Sequence, residues 1–256
     1  MSKIAEAFQN KKAFITYLMA GDPNLDQSAE NILAAQEAGA DLIEIGIPFS
    51  DPIAEGPVVE NASVRALSAG VRLNNVFDMV ADLKDKIHVP LVFMTYLNPV
   101  FVYGYDKFFA KCQEIGISGI IIPDLPFEEQ EEVKVVASQY GIEVITLIAP
   151  TSKDRIKEIA RKSEGFIYLV SSMGVTGVRS NITTDISAMV AEIRAVSDIP
   201  VAVGFGINQP SQVKDISDKA DGVIVGSGIV RLVEAHGEEA KPYIYDYVHE
   251  MQAVLR

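Results

Sequence analysis

At 256 residues, 48% of them hydrophobic, the chain is long enough to bury one large core, arranged as a single α/β barrel or as two small domains. A formal net charge of −13 leaves no basic footprint for nucleic acid and argues against an anionic membrane surface as a partner. With Cys112 as its one cysteine, the chain forms neither an internal disulfide nor a cysteine metal cluster.

Residues 1–8 lack the apolar core of a signal peptide, and no uninterrupted apolar run approaches membrane-spanning length, so a soluble, cytoplasmic protein is expected. From there, short apolar runs alternate with longer amphipathic stretches. A first strand is predicted over 13–19, ending in the turn Ala20-Gly-Asp-Pro23, with a helix over 27–38. The second strand, 41–46, carries Glu44 in its middle and breaks into a Pro- and Gly-rich loop over 48–56 that brings Asp51 and Glu55. A helix over 76–86 precedes the third strand, 90–95, which runs into Met94-Thr-Tyr96-Leu-Asn98-Pro99. Cys112 falls in the next helix, 105–115, as an ordinary helix residue. The fourth strand, 119–122, ends in Pro123-Asp124-Leu-Pro126, where Asp124 reads mainly as a cap for the helix over 128–139. A fifth strand, 143–149, and a helix, 153–162, follow. The sixth strand, 165–170, leads into the small-residue loop Ser171-Ser-Met-Gly-Val-Thr176-Gly177, suited to act as a lid, and then a helix over 186–196. The seventh strand, 200–203, ends in Gly204-Phe205-Gly206-Ile207-Asn208 before a helix over 209–217. The eighth, 221–225, ends in Gly226-Ser227-Gly228, which opens a helix over 229–235.

Eight strand–helix units of roughly 32 residues each match the size of a βαβ repeat and favour a closed TIM (β/α)8 barrel. An open doubly wound sheet is the alternative, but no G-x-G-x-x-G follows the first strand. No linker or low-complexity tract divides the chain, so 1–256 reads as one domain.

In a barrel, function gathers on the loops after the strands. Strand two is apolar enough to be buried on both faces, where an acid is costly unless a site uses it. Two carboxylates in different surroundings divide proton-donor and proton-acceptor work, so Glu44 and an acid of the following loop are the expected catalytic pair. The glycines after strands seven and eight let backbone N–H groups approach an anion, the second set at a helix N-terminus, where phosphate is favoured. His88, His236 and His249 fall away from the expected catalytic face, and no lysine sits at an inward strand end. Imidazole chemistry, histidine metal sites and Schiff-base aldol chemistry are therefore not expected.

Together and in order, Tyr17-Leu-Met-Ala-Gly-Asp-Pro23, Glu44-Ile-Gly-Ile-Pro-Phe-Ser-Asp-Pro52, Pro123-Asp-Leu-Pro126, Gly174-Val-Thr-Gly177 and Gly204-Phe-Gly-Ile207 make the chain resemble the tryptophan synthase α subunit along essentially its whole length. The resemblance implies a single TIM barrel with an extra N-terminal helix. It implies a lyase that cleaves indole-3-glycerol phosphate to indole and glyceraldehyde 3-phosphate by retro-aldol chemistry, with no metal or organic cofactor, in L-tryptophan biosynthesis. It further implies a β subunit as partner in an α2β2 complex, facing the 48–56 loop and the segment around Asn98-Pro99. Glu44 matches the catalytic glutamate. Glu55, in Ala54-Glu-Gly-Pro57, stands where the family usually has aspartate, one methylene shorter. Gly177, Phe205, Gly206, Gly226 and Ser227 match the phosphate site. Tyr17, where well-known members have phenylalanine, matches the indole pocket together with Met94, Tyr96, Ile121, Ile148 and Tyr168, and Thr176 matches the lid. A stand-alone indole-releasing lyase, another phosphate-binding barrel enzyme, or a weakly active scaffold that activates a β subunit are the competing readings.

Overall fold

The structure is a computed structural model that describes residues 2–171, 185–204 and 206–255. Eight parallel strands close into a barrel in sequence order: β1 (Ala13–Met19), β2 (Leu42–Gly46), β3 (Leu91–Met94), β4 (Ile117–Ile121), β5 (Glu143–Ile148), β6 (Ile167–Val170), β7 (Val201–Gly204) and β8 (Gly222–Val225). The barrel shuts where Ala13–Thr16 of β1 pair with Gly222–Val225 of β8. Nearly every strand residue is buried, as the continuous apolar runs require when helices cover the outer face and side chains fill the inner one.

Around the barrel lie α1 (Lys3–Ala7), α2 (Leu25–Glu37), α3 (Pro57–Ser68), α4 (Leu73–Leu83), α5 (Leu97–Tyr103), α6 (Tyr105–Ile115), α7 (Gln130–Gln139), α8 (Ile156–Arg161), α9 (Ile186–Arg194), α10 (Pro210–Ser217), α11 (Ser227–His236) and α12 (Ala240–Ala253). The expected extra N-terminal helix is α1. Ser2 caps it by accepting from Ala5 N–H at 3.2 Å. Its Ile4, fully buried, fills the barrel floor, occupying space that a Cβ on Gly119 would enter at 2.8 Å. α4 shows the spacing that buries one face, with Val76, Phe77, Val80 and Leu83 turned to the core.

Acids at the strand entrances tie neighbouring strands. Asp41 accepts from Phe14 N–H at 2.8 Å, Glu164 from Val144 N–H at 2.6 Å, and Asp221 from Val201 N–H at 3.0 Å. β4 begins at Ile117, two residues ahead of the expected 119. Gly116 closes α6 in the left-handed conformation at φ 87°, and Ile117 then pairs at once with Leu91. Three helices have no counterpart among the expected ranges, α3, α5 and α12, and the first two begin directly after a site loop.

Candidate active site

The register of β1, β2 and β3 sets Tyr17, Glu44 and Val92 side by side. Leu42, Ile43 and Ile45 hold β2 in the core, and Glu44 goes in with them, 1% exposed. Neither of its carboxylate oxygens has a hydrogen-bond partner among the described residues. Burial disfavours the charged form and lifts the carboxyl to about 8.

The loop after β2 is clasped at both ends. Ile47 N–H donates to Met94 C=O at 2.9 Å, and the Ser63 hydroxyl of α3 accepts from Phe49 N–H and donates to Phe49 C=O, each at 2.8 Å. Farther along, the Tyr96 hydroxyl accepts from Ile53 N–H at 3.1 Å and Ala54 N–H at 3.0 Å, while its ring stacks on Phe49 at 5.1 Å. Gly56 then caps α3, with Pro57 in its first turn. These contacts deliver Glu55 to the barrel mouth. Burial, and then the charge of Glu60, lift its carboxyl to about 7.

Glu44 and Glu55 line the same cavity at the mouth of the barrel. Tyr17, Met94 and Tyr168 form its wall with Val59, Ile207 and Ile224, and Gly206, Gly226 and Ser227 complete it. Two glycines make room for the tyrosines: a Cβ on Gly46 would collide with the Tyr17 hydroxyl, and one on Gly204 with the Tyr168 hydroxyl. At the other side, Gly226 precedes α11 and gives it no side-chain cap; Ile229 and Val230 N–H donate to Gly226 C=O, so an anion would meet the helix start at Ser227 and Gly228 N–H. Gly206 lies beside it at φ 81°, a conformation that L side chains rarely adopt. α12 braces this corner, where the Tyr247 hydroxyl donates to Asn208 C=O at 3.2 Å.

The cavity thus joins two carboxyls of raised pKa, an apolar and aromatic wall, and a glycine-lined helix start. Of the expected site residues, Tyr17, Glu44, Glu55, Met94, Tyr168, Gly206, Gly226 and Ser227 meet in it. Tyr96, Ile121 and Ile148 are not among its wall residues. Ile121 and Ile148 are fully buried, and Tyr96 is turned toward the loop it holds. Thr176, Gly177 and Phe205, with the expected lid from Ser172 onward, lie outside the described residues. Asp124 caps a helix, but not the expected one: it accepts from Leu97 N–H at 2.9 Å and so serves α5. Cys112 is fully buried, with its thiol pushed up by desolvation. None of the three histidines lines the cavity; His236 stacks on Tyr243 at 3.6 Å. Val59 and the Ser63 clasp were missed because α3 was not anticipated, although Gly56-Pro57 is a helix-start signal.

A family model described as tryptophan synthase alpha chain matches residues 4–254. The tryptophan synthase alpha chain of Lacticaseibacillus casei is 45% identical over 255 residues, covering 100% of this chain and 96% of the relative. That of Lactiplantibacillus plantarum is 46% identical over 256 residues, covering 100% and 97%. Among solved structures, Mycobacterium tuberculosis tryptophan synthase superposes with a TM-score of 0.90 at 36% identity, covering 100% of this chain and 98% of that one. A chain of the Pyrococcus furiosus tryptophan synthase α2β2 complex does so with a TM-score of 0.88 at 35% identity, covering 95% and 98%.

Proposed function

The chain belongs to the tryptophan synthase alpha chain family, and from that premise we propose how its residues carry the reaction. It is a lyase that cleaves indole-3-glycerol phosphate to indole and glyceraldehyde 3-phosphate in tryptophan biosynthesis, working with a β subunit in an α2β2 assembly.

Glu44, protonated, donates to indole C3, and the indole nitrogen takes up positive character. Glu44, now ionised, removes the proton from the hydroxyl on the carbon attached to C3. That carbon becomes the aldehyde carbonyl, the C3–carbon bond breaks, and its electron pair restores the aromatic ring. The acid ends as it began, protonated. A value of about 8 suits both directions of transfer near neutral pH. Glu55, ionised, faces the indole N–H and stabilises its positive charge. The aromatic wall of Tyr17, Met94 and Tyr168 holds the indole, while Gly206, Gly226 and Ser227 hold the phosphate at the start of α11. Thr176, Gly177 and Phe205 complete the lid and phosphate site in this reading, and Tyr96, Ile121 and Ile148 back the pocket.

Exposed Ile53, Phe101 and Val102 on the loop after β2 and on α5 support a docking face for the β subunit beside the mouth. Among the described residues no helix is long and apolar enough to cross a membrane, which is compatible with the proposed cytoplasmic, single-domain protein.

The observation that carries this reading is Glu44, a carboxyl buried in mid-strand, with neither oxygen partnered among the described residues, facing a cavity it shares with a second acid. The test is indole release from indole-3-glycerol phosphate by the purified chain, alone and with a β subunit. Release that the partner strengthens and Glu44→Gln abolishes is expected. No release in either setting, with β still bound, would leave a scaffold.

A further inference from the structure

The steps above use the Tyr17 ring and leave its hydroxyl without a task. Tyr17 is 4% exposed, lines the cavity, and its oxygen has no hydrogen-bond partner among the described residues. A phenol O–H in that state is unusual, because buried donors are nearly always paired. The side chain is also held firmly. A Cβ on Gly46 would collide with the hydroxyl, and the site of a Cβ on Gly226 lies 3.2 Å from the Tyr17 Cβ.

Where the oxygen lies decides which acid it serves. The backbone of Tyr17 is level with Glu44, but its hydroxyl reaches Gly46, two residues nearer the mouth, about 7 Å along the strand. That carries it past the Glu44 backbone toward the loop bearing Glu55. The electrostatic coupling agrees: after desolvation, the charge on Glu55 acts on the phenol most, ahead of Glu44, Tyr96 and Tyr168. Glu60 of α3 is the further charge that faces Glu55.

We propose that the Tyr17 hydroxyl is a positioning residue that donates its O–H to the ionised carboxylate of Glu55 and holds it in place against the positive charge developing on the substrate. This rests on the function proposed above. The bond is not made in the conformation described, and catalytic hydrogen bonds often tighten only once charge or ligand draws them in. The donor satisfies a buried hydroxyl and a buried anion at once. Glu55 extends one methylene farther toward the hydroxyl than an aspartate at 55 would.

The test is Tyr17→Phe, which keeps the ring and removes only the hydroxyl oxygen. Carboxyl 13C NMR, with Glu55 assigned through Glu55→Gln, gives its titration midpoint in wild type and variant. Losing a donor to the charged form raises the midpoint, by about half to one pH unit. Turnover of indole-3-glycerol phosphate is expected to fall about 10-fold, with KM changed less than about twofold. In a Glu55→Asp background the same Tyr17→Phe change should lower turnover less than about twofold. An unmoved midpoint, or an equal loss in both backgrounds, overturns the proposal. A wild-type chain that releases no indole would sink the proposed function, while the titration would still decide the role of Tyr17.

Discussion

Replacing Glu44 with glutamine keeps the shape of the side chain and removes its proton. Burial lifts the folded carboxyl from the ordinary 4.5 to about 8, and at 1% exposure there is no solvent to screen the effect. In the unfolded chain the group ionises near 4.5, so between these two values folding must take up a proton. The sign is therefore fixed. Wild-type stability has no penalty from Glu44 below about pH 4.5, falls as pH rises from there to about 8, and levels off beyond. At about 1.36 kcal/mol per unit, the gap between 4.5 and pH 7 makes about 3 kcal/mol. Glu44→Gln should then be about 3 kcal/mol more stable than wild type at pH 7 and nearly equal to it at pH 4. Urea unfolding at a series of pH values measures this, provided the slope with denaturant stays unchanged. Indole release should fall by about 100-fold or more in the same variant. A stability difference that ignores pH, or a less stable variant at pH 7, would show that Glu44 ionises like an ordinary carboxyl, and the reasoning from its burial would fail.

Activity needs Glu55 ionised and Glu44 protonated, so kcat/KM should trace a narrow bell with limbs near 7 and 8. The two limbs belong to the pair as a coupled system, and the residual activity of Glu55→Gln should lack the acid limb. Tyr96→Phe removes the acceptor for Ile53 and Ala54 N–H, and turnover should fall about 10-fold for about 1 kcal/mol of lost stability. Kinetics and unfolding of the same preparation separate the two effects; equal stability with full turnover would mean the loop needs no such tie. Gly206→Ala forces a Cβ onto a residue at φ 81°, and should raise KM for the phosphorylated substrate about 5- to 10-fold with turnover little changed.

The barrel is legible in the chain because all eight strands are apolar runs bounded by turn residues, and such runs need no partner to be recognised. Glu44 is legible for the same reason, as an acid standing where the pattern calls for an apolar residue. The glycines at 206 and 226 are readable as an anion site only after the strands before them are placed. What stayed hidden has physical causes. α5 carries Pro99 inside a helix of seven residues, where proline is tolerated in the first turn but masks the pattern. α3 opens with Pro57-Val-Val, which reads as a continuation of the loop until Gly56-Pro57 is taken as a helix start. The Tyr96 tie to the loop and the approach of the Tyr17 hydroxyl to Gly46 cross between strands. Side-chain reach of that kind leaves no mark in sequence periodicity. Asp124 illustrates the limit: its capping role was readable, while the helix it caps, α5, comes from the preceding strand's loop.

In the proposed mechanism Glu44 moves a proton to and from indole C3. Indole and glyceraldehyde 3-phosphate incubated with the chain in D2O, followed by proton NMR, report that transfer directly as loss of the C3 signal. Exchange well above the buffer blank, abolished in Glu44→Gln, is the expected result. Exchange that survives in Glu44→Gln would place the proton on another group and rule out Glu44 as its carrier.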